Sequence, residues 1–127
     1  MGYFVLTNNP LAASRVAPGT RVVFEEDGIR GLFERAAVLV GQGHALLSHP
    51  LAGSVQPGET PYKSIVVSSE AREDIDAQSA KLVSSALEAC DKLLAGARAY
   101  PDAALLELQP VDLSLLEAAL ASARVQG

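Results

Sequence analysis

Tyr3-Phe4-Val5-Leu6-Thr7-Asn8-Asn9-Pro10-Leu11-Ala12-Ala13-Ser14 decides the reading of this chain. An apolar, β-prone run from Tyr3 to Thr7 stops at two asparagines and a proline. That pattern predicts a buried strand feeding directly into a helix. Asn9 can cap such a helix, and Pro10 suits its first position, where no backbone N–H is needed. The phrase returns at His49-Pro50-Leu51-Ala52-Gly53-Ser54, after the apolar Ala45-Leu46-Leu47. Two matching strand exits suggest two polar loops that meet at one edge of a sheet.

Working outward, the first helix runs from Pro10 to about Val16 and stops at Ala17-Pro18-Gly19. Thr20 to Glu25 predicts a second strand. Asp27 then caps a helix from Gly28 to about Gln42, with Ile29, Leu32, Phe33, Ala36, Ala37 and Val40 at helical spacing. Gly41 and Gly43 mark its end. His44 to Leu47 is the third expected strand, followed by an irregular stretch from Ser48 to Lys63. A loop of that length in a compact domain usually carries function. Ser64-Ile65-Val66-Val67-Ser68 is the fourth strand, and a long helix is expected from about Glu70 to Ala99. Residues 103–109 are ambiguous: Pro101-Asp102 at their head favours a helix, and a fifth strand is the alternative. Asp112 or Ser114 caps the last helix, the latter with Glu117 at capping-box spacing. Leu113, Leu116 and Leu120 form that helix's buried side.

Alternating strands and helices imply helices on both faces of a parallel sheet. The expected architecture is one α/β domain over residues 1–127, a three-layer α/β/α arrangement around a small, mainly parallel four- or five-stranded sheet, flavodoxin-like or a Rossmann-like half. The simplest strand order is 2-1-3-4, although the missing helix between the third and fourth strands leaves an antiparallel fourth strand open. In that order the first and third strands flank the switch point where α/β sheets bind ligands, and both echoed phrases follow those strands.

The chain has 127 residues with a net charge of −5, and its ten Lys and Arg are scattered. Nucleic-acid binders carry clustered basic charge, so nucleic acid is not expected as a partner. A single cysteine suits a reducing compartment. No signal-peptide pattern and no apolar run near the roughly 20 residues of a membrane span are evident, so a cytoplasmic protein without membrane contact is expected.

The chain resembles the GrdX family, small proteins named for their occurrence in glycine reductase gene clusters. The resemblance is carried by Leu6-Thr7-Asn8-Asn9-Pro10, by Gly43 through Ser54, by Pro57-Gly58-Glu59-Thr60-Pro61-Tyr62-Lys63-Ser64 and, less specifically, by Val111-Asp112-Leu113. Gly58 stands where the family typically has Asn, and Ser48 where it often has Thr. The resemblance implies a connection to anaerobic reduction of glycine, sarcosine or betaine.

Thr7, Asn8 and Asn9 sit where a strand exit meets a helix start, and free backbone N–H groups there favour an anion. The plainer role for Asn9 is a helix cap. His49 lies at the expected carboxyl end of the third strand, beside Ser48 and near Ser54. It is the candidate acid or base, or an anion ligand. Glu59, Tyr62 and Lys63 can close over the crevice as a lid. A strand of about four residues spans roughly 13 Å, so His44 and His49 do not share a metal, and no metal site is expected. No Gly-x-Gly-x-x-Gly, Gly-Lys-Ser/Thr or Gly-x-Ser-x-Gly pattern is present, so no cofactor is assigned. Cys90 shares a helix face with Val83, Leu87 and Leu94 and reads as core. Three functions follow. The first is an accessory module that binds a small molecule or anion. The second is an enzyme using His49. The third is an interaction or assembly protein, homodimeric or part of a reductase complex.

Overall fold

The computed structural model describes residues 2–16, 19–26, 28–50, 60–94 and 102–126. Its elements are β1 (Tyr3–Thr7), α1 (Pro10–Arg15), β2 (Val22–Phe24), α2 (Gly28–Gly41), β3 (Ser64–Ser68), α3 (Ala77–Leu94) and α4 (Asp102–Gln126). Among the described residues the sheet has three strands in the order β2-β1-β3. β2 runs parallel to β1, with Val5 opposite Val22. β3 runs antiparallel to β1, with Tyr3 opposite Ser68 and Thr7 opposite Ser64.

This corrects the expected mainly parallel, four- or five-stranded sheet and its flavodoxin-like or Rossmann-like order. The sheet is small and mixed, and the place beside β1 belongs to Ser64–Ser68 rather than to residues 44–47. Burial explains the exchange. A strand covered by helices on both faces must be apolar on both, and Ile65, Val66 and Val67 are each fully buried. Ala45-Leu46-Leu47 is only partly covered and forms no named strand. Its single bridge pairs Leu46 with Val67 on the outer side of β3, flanked by Leu47 N–H to Val66 O and Ser68 N–H to Ala45 O.

Alternation along β1 and β3 makes two cores. Phe4, Leu6, Ile65 and Val67 face α2 and α3, meeting Leu32, Phe33, Ala36, Val83, Ala86 and Cys90. Val5 and Val66 face the other way, against Ala12 of α1 and Leu116, Leu120 and Ala123 of α4. Cys90 is therefore a core residue, and burial pushes its thiol pKa up.

The long helix expected from Glu70 begins at Ala77 instead. Asp76 caps it, accepting the Ser79 N–H at 2.9 Å and the Ser79 hydroxyl at 2.5 Å. Residues before it are held as a connection, because the Arg72 N–H is taken by Gly43 O at 3.0 Å. Gly43 has φ +106°, and a Cβ there would lie 1.9 Å from the Arg72 carbonyl oxygen, so only glycine fits. Residues 103–109 are helical, joined to the last helix through Pro110, which lies inside α4. Asp112 and Ser114 are therefore interior to that helix and do not cap it. The proposed cap Asp27 lies outside the described residues.

Candidate functional site

The residues leaving β1, those entering β3 and one turn of α4 meet in one hydrogen-bonded network. Antiparallel pairing puts the end of β1 beside the start of β3, so Thr7 stands opposite Ser64. Asn9 has an extended backbone (φ −96°, ψ 113°) and its side chain accepts the Leu11 N–H at 3.1 Å, which is the expected cap. Its amide group does more. Nδ2 donates to Gln109 O and to Asp112 Oδ2, each at 2.9 Å, tying α4 to the end of β1. Asn8 turns the other way: Nδ2 donates to Pro61 O at 2.7 Å and Oδ1 accepts the Lys63 N–H at 2.9 Å. Gln109 Nε2 donates to the Tyr62 hydroxyl at 3.0 Å.

Asp112 is the centre of this network. It is 5% exposed. Burial raises its carboxyl pKa. The Ser64 and Asn9 hydrogen bonds and the nearby Lys63 charge pull the other way. The Ser64 hydroxyl donates to Asp112 Oδ2 at 2.6 Å. Asn9 N–H donates to Thr7 Oγ1 at 3.0 Å, and Thr7 Oγ1 lies 2.7 Å from Ser64 Oγ. With Ser64's only proton committed to the carboxylate, the Thr7 hydroxyl donates either to Ser64 Oγ or to Lys63 O, which lies 3.3 Å away. Two polar side chains, Ser64 from β3 and Asn9 from the exit of β1, thus donate to one buried carboxylate on α4.

Thr7 and Asn9 are fully buried, Asn8 is 8% exposed and Lys63 3%. Every buried side-chain nitrogen or oxygen among the described residues has a partner. The hydrogen bonds of these side chains position the edge. Tyr62 is half-buried and His49 exposed at the same end of the molecule. Ser48 Oγ accepts the Val66 N–H at 2.9 Å, on the outer side of β3. β1 and residues 45–47 therefore lie on opposite sides of β3, not next to each other as the expected strand order had them. Ser54 and Glu59 lie outside the described residues. His44 sits elsewhere: its Nδ1 donates to Ser68 O at 2.7 Å, and its ring meets Phe4 edge-on with centroids 5.7 Å apart.

Among the described residues no group of three or more His, Cys, Asp or Glu is placed to hold a metal ion. No helix there is long and apolar enough to cross a membrane. Asp112 carries two sequence signals, its reading as a possible cap and its place in the Val111-Asp112-Leu113 stretch. Its contact with Asn9, 103 residues away, is a product of folding.

Comparison with curated proteins and with solved structures gives no match. A family model described as GrdX-like protein matches residues 4–121, nearly the whole chain. With the segments from β1, β3 and α4 that carry the resemblance joined in one buried network, the chain belongs to the GrdX-like family.

Proposed function

We propose that the protein is a small accessory of anaerobic amino-acid reduction, the setting its family is named for, and that it binds a small anionic or zwitterionic molecule at the carboxyl end of β1. One observation supports this above the others: a buried cation, Lys63, and a buried carboxylate, Asp112, share that edge. Apolar residues of similar volume would stabilise a fold as well or better, and buried charge with displaced pKa gathers where ligands are handled. In this reading Thr7, Asn8, Asn9 and Ser64 hold the edge rigid. Tyr62, Lys63, Ser48 and His49 supply contacts, with Ser54 and Glu59 added on sequence grounds alone.

The test is a thermal-shift panel of glycine, sarcosine, betaine, phosphate and acetyl phosphate on the wild type, His49→Ala and Tyr62→Phe. A ligand at a hundred times its Kd adds about 2.7 kcal/mol, a rise in Tm of several degrees. The expected result is such a shift for one member, reduced in both variants. A panel that moves nothing, or a shift equal in all three proteins, rejects the reading.

A further inference from the structure

A second feature lies at the opposite end of the sheet. A groove of about 880 Å³ opens between the start of β1, the end of β3, residues 45–47 and the connection 70–77. Its lining is mostly apolar. Leu47 and Ile75 stand in it with 43% and 54% of their surface exposed, and Tyr3 and Ala45 complete the floor. Its rim is acidic: Glu70, Glu73 and Asp74 are all exposed, against a single basic residue, Arg72.

The groove is built rather than incidental. The connection is pinned at its start by Ser69 N–H to Gly2 O at 3.1 Å and in its middle by Arg72 N–H to Gly43 O. At its end Asp76 holds Ser79, whose hydroxyl oxygen accepts the Leu46 N–H at 2.9 Å. A surface held in place on three sides loses little freedom when something docks on it.

We propose that this groove docks a basic segment of another protein, one that sets apolar side chains among Lys or Arg. Charge decides among occupants. An anionic lipid surface is repelled by the rim. A second copy brings the same acidic rim on a chain of net charge −5, and like charges facing each other disfavour that pairing. A segment with alternating apolar and cationic side chains matches both floor and rim. This surface is independent of the edge at Asp112.

The probe is a short fluorescein-labelled peptide of alternating Leu and Lys, titrated with the full-length chain and read by anisotropy. Saturable binding is expected, weakened about tenfold by Ile75→Ser and about fivefold by Glu73→Gln with Asp74→Asn. It should be unchanged by Glu107→Gln with Glu117→Gln, which neutralises two exposed carboxylates on α4 outside the groove. All substituted positions are exposed, so folding is preserved, and melting curves check this. The proposal is overturned by absent binding, by equal binding of a Leu/Glu peptide, or by an equal loss with the α4 pair. Self-association in sedimentation that Ile75→Ser abolishes, without peptide binding, gives the groove to a second copy and equally overturns it.

Discussion

Asp112 is a carboxylate placed where a carboxylate is expensive. Its burial is offset by Ser64 Oγ–H and Asn9 Nδ2–H, both on Oδ2, and by the Lys63 charge. Asp112→Ala removes the hydrogen bonds that the Ser64 hydroxyl and Asn9 Nδ2 make to Oδ2, a loss of about 1–3 kcal/mol. A loss in that range is expected in urea unfolding at neutral pH. The pH dependence has a definite sign. The folded-state pKa of Asp112 is raised above its unfolded value of about 3.9. Between those two values the folded protein binds more protons than the unfolded one, so this group's contribution to stability grows as pH falls through the window and is complete below it. The stability of the wild type minus that of Asp112→Asn should therefore rise as pH is lowered toward about 4. A flat difference, or one that falls, contradicts the burial assigned to this carboxyl.

At the scale of elements, α4 is the least regular and the most informative. Pro110 lies inside it and lacks the N–H that would bond the Leu106 carbonyl. The break falls on an exposed surface: Pro110 is exposed and Leu106 is 70% exposed, so water can serve the freed carbonyl. A proline in a helix interior is disfavoured by about 3 kcal/mol relative to alanine. Part of that is returned through the stiffer unfolded chain. Pro110→Ala should thus stabilise the protein by about 1–2 kcal/mol, read from the denaturation midpoint. If it destabilises instead, the proline is shaping the helix so that Gln109 O can meet Asn9. What was legible in the sequence follows the same logic. α1, α2 and β1 were plain because their cues are local: an Asn-Pro start, a 3.6-residue apolar stripe, a bounded apolar run. The start of α3 was misplaced because the Arg72 to Gly43 bond that holds the preceding residues open is long-range. The partner of β1 was misassigned for a related reason. Residues 44–47 and Ser64–Ser68 are both short apolar runs, and only the full burial of Ile65, Val66 and Val67 separates them. The buried network at the end of β1 was half visible. Thr7, Asn8 and Asn9 announced themselves by position, whereas Asp112 sits mid-helix in a segment whose pattern shows only a Leu stripe.

At the scale of the molecule, two cores share one thin sheet, and that arrangement predicts how it opens. α2 and α3 cover one face, and α1 with α4 the other. The second core is the smaller, and its helix α4 is fastened to the sheet edge through Asn9 and Asp112. Asn9→Ala removes the cap on Leu11 together with both amide bonds to α4, a combined loss of about 2–4 kcal/mol. The loss should be local first. Cooperative units open separately when few contacts join them, and the two helix layers meet mainly through β1 and β3. Native-state hydrogen exchange of Asn9→Ala should speed the amides of α1 and α4 well before those of α2 and α3. The amides of β1, paired on both sides by β2 and β3, should remain the slowest. Exchange that accelerates equally in all four helices would mean that the sheet transmits the loss across its thickness, and that the two faces form one cooperative unit.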